Sequence, residues 1–73
     1  DMEVLVLKTN LNSEHHVAMI APSFNNHTSV KKWSVDLEDR HKVLRIEAVT
    51  DFTEEDAIDL IRKHGFTGDD LDC

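Results

Sequence analysis

Five histidines (His15, His16, His27, His41 and His64) and one cysteine, Cys73, are the side chains of this chain best suited to holding a transition metal. Neutral imidazole binds Zn(II), Ni(II) and Cu(II), whereas Cu(I) prefers sulfur. A single thiol supplies one ligand at most and cannot close an internal disulfide. Any metal centre would therefore rest on imidazoles, with Glu14, Glu38 or Asp39 adding a carboxylate oxygen or orienting a ring. The spacing matches no known ligand motif, because His15 and His16 are adjacent and point about 100° apart on a helix. Catalytic chemistry has still less to work with. Ser13 and His16 are the nearest nucleophile–base pair, but Ser13 reads better as a helix cap, and the two glycines, Gly65 and Gly68, cannot build a phosphate-cradling loop. Without a nucleophile–base set or paired carboxylates in a cleft, the chain is expected not to be an enzyme.

The 73 residues carry eight Lys and Arg against fifteen Asp and Glu, a formal charge of −7 with histidines neutral. That balance argues against nucleic acid and anionic membrane surfaces as partners, since both require a basic face. The longest apolar run, residues 17–21, is far below the ~20 residues needed to span a bilayer, and no segment matches a signal-peptide apolar region. The expectation is a soluble, cytoplasmic, single domain over residues 1–73. Acidity is concentrated at one end: residues 51–73 hold eight acidic and two basic side chains. Glu54, Glu55 and Asp56 suit the start of a helix, while Asp69, Asp70 and Asp72 form either a solubilising tail or a docking surface for a basic partner.

The elements that position these residues follow from periodicity. Residues 2–9 read as a central strand, with Val4 and Val6 on one face and Leu5 and Leu7 on the other. Asn10, Leu11 and Asn12 make a polar break. Ser13 then caps a helix whose Val17, Ile20, Ala21 and Phe24 form one stripe, with Pro22 expected to kink it or end its regular part. Residues 30–38 alternate, Trp33, Val35 and Leu37 against Lys32, Ser34 and Asp36, and residues 42–49 set Leu44, Ile46 and Ala48 against Val43, Arg45 and Glu47. Joined through the charged turn at residues 38–41, these strands form a hairpin. Thr53 and Asp56 resemble a capping box for a second helix bearing Ala57, Ile58, Leu60 and Ile61, and Gly65 suits its left-handed end. Residues 66–71 should form a short edge strand. Phe24 and Trp33 fall on inward phases and are expected in the core.

The order β-α-β-β-α-β predicts a ferredoxin-like α+β two-layer sandwich, a four-stranded antiparallel sheet with two helices on one face. On this pattern the chain resembles the heavy-metal-associated domain, the fold of copper chaperones and of N-terminal modules of metal-pumping ATPases. In that family a Met-x-Cys-x-x-Cys loop follows the first strand, an apolar residue stands four positions after the second Cys, and Val-Asp-Leu and Gly-Tyr segments come later. Setting Val17 at that apolar position places Lys8 at the Met, Asn10 at the first Cys and Ser13 at the second. Val35, Asp36 and Leu37 match the strand segment, and Gly65 and Phe66 stand for Gly-Tyr. The resemblance spans nearly the whole chain, but the thiolate pair is missing. Asn10 and Ser13 offer neutral oxygens that cannot replace thiolates for Cu(I).

Two readings of function follow. The leading one is a non-catalytic binding or regulatory module, without cofactor, that associates with a protein partner or a second copy through the open sheet face. Leu5, Leu7 and Val43 are expected to form that face's apolar centre, ringed by Lys32, Arg45 and Glu47. The alternative uses the end of the sheet where the first loop, hairpin turn and second helix terminus meet. There His15 or His16, His41 and His64 would bind Zn, Ni or Cu weakly for sensing or buffering, or act as a pH-sensitive patch. His27 lies at the other end. His64, on the buried stripe, is expected to pack partly beside Phe66.

Overall fold

A computed structural model describes residues 1–72, leaving Cys73 and its role as a single thiol ligand outside the described residues. The elements run β1 (Met2–Thr9), α1 (Glu14–Asn25), β2 (Val30–Asp36), β3 (Val43–Val49), α2 (Glu54–Arg62) and β4 (Gly68–Asp70). All strand pairs are antiparallel and the sheet order is β2-β3-β1-β4, so the ferredoxin-like α+β plan holds. No helix among the described residues is long and apolar enough to cross a membrane.

Both helices start where their caps dictate. The Ser13 Oγ accepts the His16 N–H at 3.1 Å, and Thr53 and Asp56 exchange bonds of 3.1 and 2.9 Å in a complete capping box. Helix α1 continues through Pro22 to Asn25 instead of ending there. The bond forfeited by the proline is the one to the Ala18 carbonyl, and both residues lie on the solvent side, where the loss leaves no buried acceptor unpaired. Gly65 adopts φ 91°, and the Phe66 N–H closes on the Ile61 carbonyl at 3.1 Å, stopping α2 as expected.

One core lies between sheet and helices: Leu5, Leu7, Leu44, Ile46 and Ala48 from the sheet meet Ile20, Phe24, Ala57 and Ile61 from the helices. This corrects the expected phase of β1. Leu5 and Leu7 are 8% and 0% exposed, because β1 pairs Leu5 with Ile46 and Leu7 with Leu44, and residues opposite each other share a face. With apolar residues on both sides, β1 alone did not reveal which side faced the helices. Val4 and Val6 face outward in their place, and Val43 keeps its expected position on the open side, opposite Asp36. Leu11 is a second correction: it is fully buried beneath the loop that its polar neighbours suggested. Phe24 and Trp33 do pack inward, ring centroids 5.4 Å apart, with the Trp33 indole N–H donating to Asn25 Oδ1 at 2.7 Å. As expected, β4 is short and at an edge, pairing only with Leu7, Lys8 and Thr9.

Candidate functional site

Two regions have the geometry to matter: the loop end of the sheet and its open face. At the loop end, three connections are tied together by hydrogen bonds. Thr9 donates its N–H to the His41 carbonyl at 3.0 Å and its hydroxyl to the Lys42 carbonyl at 2.6 Å, joining β1 to the hairpin turn. The same hydroxyl oxygen accepts the Leu11 N–H at 3.1 Å, turning the chain so that Leu11 drops into the core. Asn10 then clasps the entrance of β4: its N–H donates to the Thr67 carbonyl at 3.3 Å, and its Oδ1 accepts the Thr67 N–H at 2.8 Å.

The oxygens of Asn10 and Ser13, at the positions the resemblance aligns with the cysteines, are thus both spent on backbone N–H groups. Asn10 Oδ1 holds Thr67 and Ser13 Oγ caps α1. His16 is also engaged. Its Nδ1 accepts the Asn12 N–H at 3.2 Å, which places the proton of the neutral ring on Nε2, and the ring lies 4.8 Å from that of Phe66. The ring beside Phe66 is therefore His16.

His64 instead places Nε2 2.9 Å from the Ser23 hydroxyl, joining the end of α2 to α1. His15 is exposed, with its ring centroid 6.4 Å from that of His16, and His41 is exposed in the hairpin turn. Ser23 lies in the last turn of α1, so the His64 ring is turned away from the start of that helix, where His15 and His16 stand, and the four imidazoles do not converge. Among the described residues no three His, Cys, Asp or Glu side chains are grouped to hold a metal ion. A depression of about 300 Å³ at the loop end is lined by Lys8, Arg40, His41, Asn10 and Asp69 among others, with His41 the one imidazole in it. His27 lies at the opposite end, its ring edge-on to Phe52 at 4.9 Å.

The open face is the other region. Met2 (49% exposed), Val4 (47%) and Val49 (37%) lie together there, Met2 directly opposite Val49 and Val4 two residues along the same side. Half-buried Val6 and Val43 continue the surface. Beside it stand Lys32, Ser34 and Asp36 of β2, with Arg45 and Glu47 joined at 3.2 Å on β3. The expected charges are present, but on one side of the apolar residues, with Glu47 and Arg45 directly opposite Val4 and Val6, and the apolar part is built from different β1 residues. The alternation of β3 held the signal, since whatever pairs with Ile46 and Leu44 must face inward.

The acidic end forms a third feature. Partial burial pushes the Glu54 carboxyl above its ordinary value of 4.5, and the negative charges of Asp70, Asp72 and Asp69 push it further. Asp56 is held below its ordinary 3.8 by the two hydrogen bonds with Thr53.

No family model and no curated protein matches the chain. Among solved structures it is similar to one described as a "putative copper-ion-binding protein" from Bacillus anthracis strain Ames, with a TM-score of 0.76 and 20% identity. The match covers 94% of this chain and 97% of that one, and at this identity what it establishes is a common fold.

Proposed function

We propose that the chain is a non-catalytic binding module of the heavy-metal-associated type whose thiolate loop has become a structural joint, and that it acts by associating with another protein through its open sheet face. One observation carries this reading. Of the four large apolar side chains most exposed in the described chain, three, Met2, Val4 and Val49, fall on that face, flanked by the charged side chains of β3 and β2. A cluster of exposed apolar side chains bordered by charge is a common feature of protein interfaces. The loop end fits the same reading, because its Asn10 and Ser13 oxygens are occupied in holding the fold together.

The test is a photo-crosslinker at position 4 in the cell of origin. A single dominant protein adduct that disappears on Val49→Asp is the expected result. No adduct, or one indifferent to Val49→Asp, removes the open face as the functional surface.

A second reading is weak binding of copper, Zn(II) or Ni(II) through the histidines, of which the name of the similar solved structure bears on copper alone. A proton–nitrogen correlation spectrum titrated with each metal separates the two. Stoichiometric shifts confined to residues 10–17, 38–42 and 64–66 would establish a metal site with a replaced ligand set, and their absence would leave association alone.

A further inference from the structure

Strand β2 is an edge of the sheet, paired with β3 on one side only. A bare edge of this length invites another strand, and proteins commonly guard against this with lysines and bulges. Here the register shift between Val30 and Lys32 places a bulge at Lys31, leaving residues 32–36 as the regular part of the edge. Those five residues have a particular symmetry. If a second copy pairs antiparallel about a two-fold axis at Ser34, Lys32 stands opposite Asp36 twice, Ser34 opposite itself, and Trp33 opposite Val35 twice. Opposite charges and aromatic–β-branched pairs are the favourable cross-strand combinations.

Neighbouring registers lose these pairs. Moving the axis to Lys32 or to Asp36 sets like charges face to face, while axes at Trp33 or Val35 leave Lys32 without an opposing carboxylate in the partner strand. The two charges are also available. Lys32 has no ion pair within the described chain, because Glu47 opposite it is held by Arg45. Asp36 uses Oδ1 to cap the Glu38 and Asp39 N–H groups, and Oδ2 makes no bond among the described residues. Trp33 and Val35 are only half buried by their own chain, so a partner strand would complete their cover.

We infer that β2 is a self-complementary edge on which a second copy of this chain docks, extending the sheet to eight strands with all four helices on one side and the two open faces joined into one. This does not rest on the open-face reading, and the two fail separately. An edge of five residues makes a small interface, so the dimer should be weak, with a dissociation constant between about 1 μM and 1 mM.

The experiment is sedimentation equilibrium on two charge-reversed chains, Lys32→Asp and Asp36→Lys. Each alone opposes like charges and should dimerise about tenfold or more weakly than the parent. In the mixture one chain carries carboxylates at positions 32 and 36 and the other carries ammonium groups at both. Each carboxylate then faces an ammonium group across the axis, and the two chains should associate as a heterodimer. A parent that stays monomeric at about 1 mM overturns the inference. So does a dimer indifferent to both reversals, or one abolished by Val4→Asp on the open face. Should Asp36→Lys fail to fold for want of its turn cap, Ser34→Cys in a Cys73→Ser background decides. Directly opposed Cα atoms, about 4.5–5.5 Å apart, allow a disulfide across the axis under mild oxidation. Lys32→Cys in the same background serves as the control that should not cross-link. Equal cross-linking at both positions, or none at Ser34→Cys, refutes the pairing.

Discussion

Replacing Asn10 and Ser13 together by cysteine tests whether the loop is a structural joint. Asn10→Cys removes the 2.8 Å bond to the Thr67 N–H, an ordinary hydrogen bond that contributes about 1 kcal/mol. Ser13→Cys removes the cap on the His16 N–H, also worth about 1 kcal/mol. The two bonds have no partner in common, so the metal-free variant should lose about 2 kcal/mol. For a domain of this size each kcal/mol moves the melting point about 4–8 °C, so Tm should fall by about 8–16 °C. A thiolate pair in this loop would have the softness that Zn(II) and Cu(I) prefer. At a free metal concentration of about 100 times Kd, binding would restore about 2.7 kcal/mol and return the melting point to the parent's or above. The assay is thermal unfolding by circular dichroism in reductant, with chelator or with metal. A metal-free variant melting within about 2 °C of the parent would show that the clasp and cap hold nothing. A parent that itself gained stability with metal would show that the chain binds metal without the two cysteines.

Gly65→Ala should destabilise by about 1–2 kcal/mol, because φ is 91° while no atom lies within 4 Å of an added Cβ, so the cost is backbone strain alone. Chemical denaturation will measure it, and D-alanine at the same position should relieve it. Ser23→Ala deletes the hydroxyl bonded to His64 and should cost about 1 kcal/mol by the same measurement, while leaving any response to Zn(II) unchanged. Two carboxylates give opposite pH dependences. Asp56, held below 3.8 by Thr53, contributes stability that is fully present above that value and lost as pH falls through its lowered folded value. Glu54, raised above 4.5, binds its proton more tightly in the folded state, so its contribution declines as pH rises from 4.5 through the folded value. Urea midpoints followed across the acid range should show the first dependence flattened by Thr53→Ala and the second by Glu54→Gln.

Much of this architecture is legible in the residues, and what is not has identifiable causes. The alternation of β3, the Thr53–Asp56 box and Gly65 are local signals, and each specifies its own geometry whatever the rest of the chain does. Strand β1 offers no such signal, since Val4 and Val6 are as apolar as Leu5 and Leu7. Its phase is decided by Ile46 and Leu44, far along the chain. Leu11 is hidden for a similar reason, between two asparagines that mark a loop and say nothing of the pocket beneath it. Topology brings the start of α1, with His15 and His16, and the hairpin turn, with His41, to the end of β1, but convergence depends on side-chain direction. Asn12 and Ser23 compete for the rings of His16 and His64 through contacts that no spacing reveals.

The strand order has a consequence for how the chain is made. Synthesis delivers β1 first, yet its partners in the sheet are β3 and β4, encoded 41 and 66 residues after its start. Until Val43 and the residues beyond it leave the ribosome, β1 has no strand to pair with, and both of its apolar faces stay exposed. Strand β2, emerging in between, pairs only with β3. The sheet therefore cannot form around β1 before β3, complete at Val49, has emerged to join β1 and β2. During that interval the segment Val-Leu-Val-Leu, four apolar residues without a charge or a proline, is the stretch most in need of a chaperone's protection.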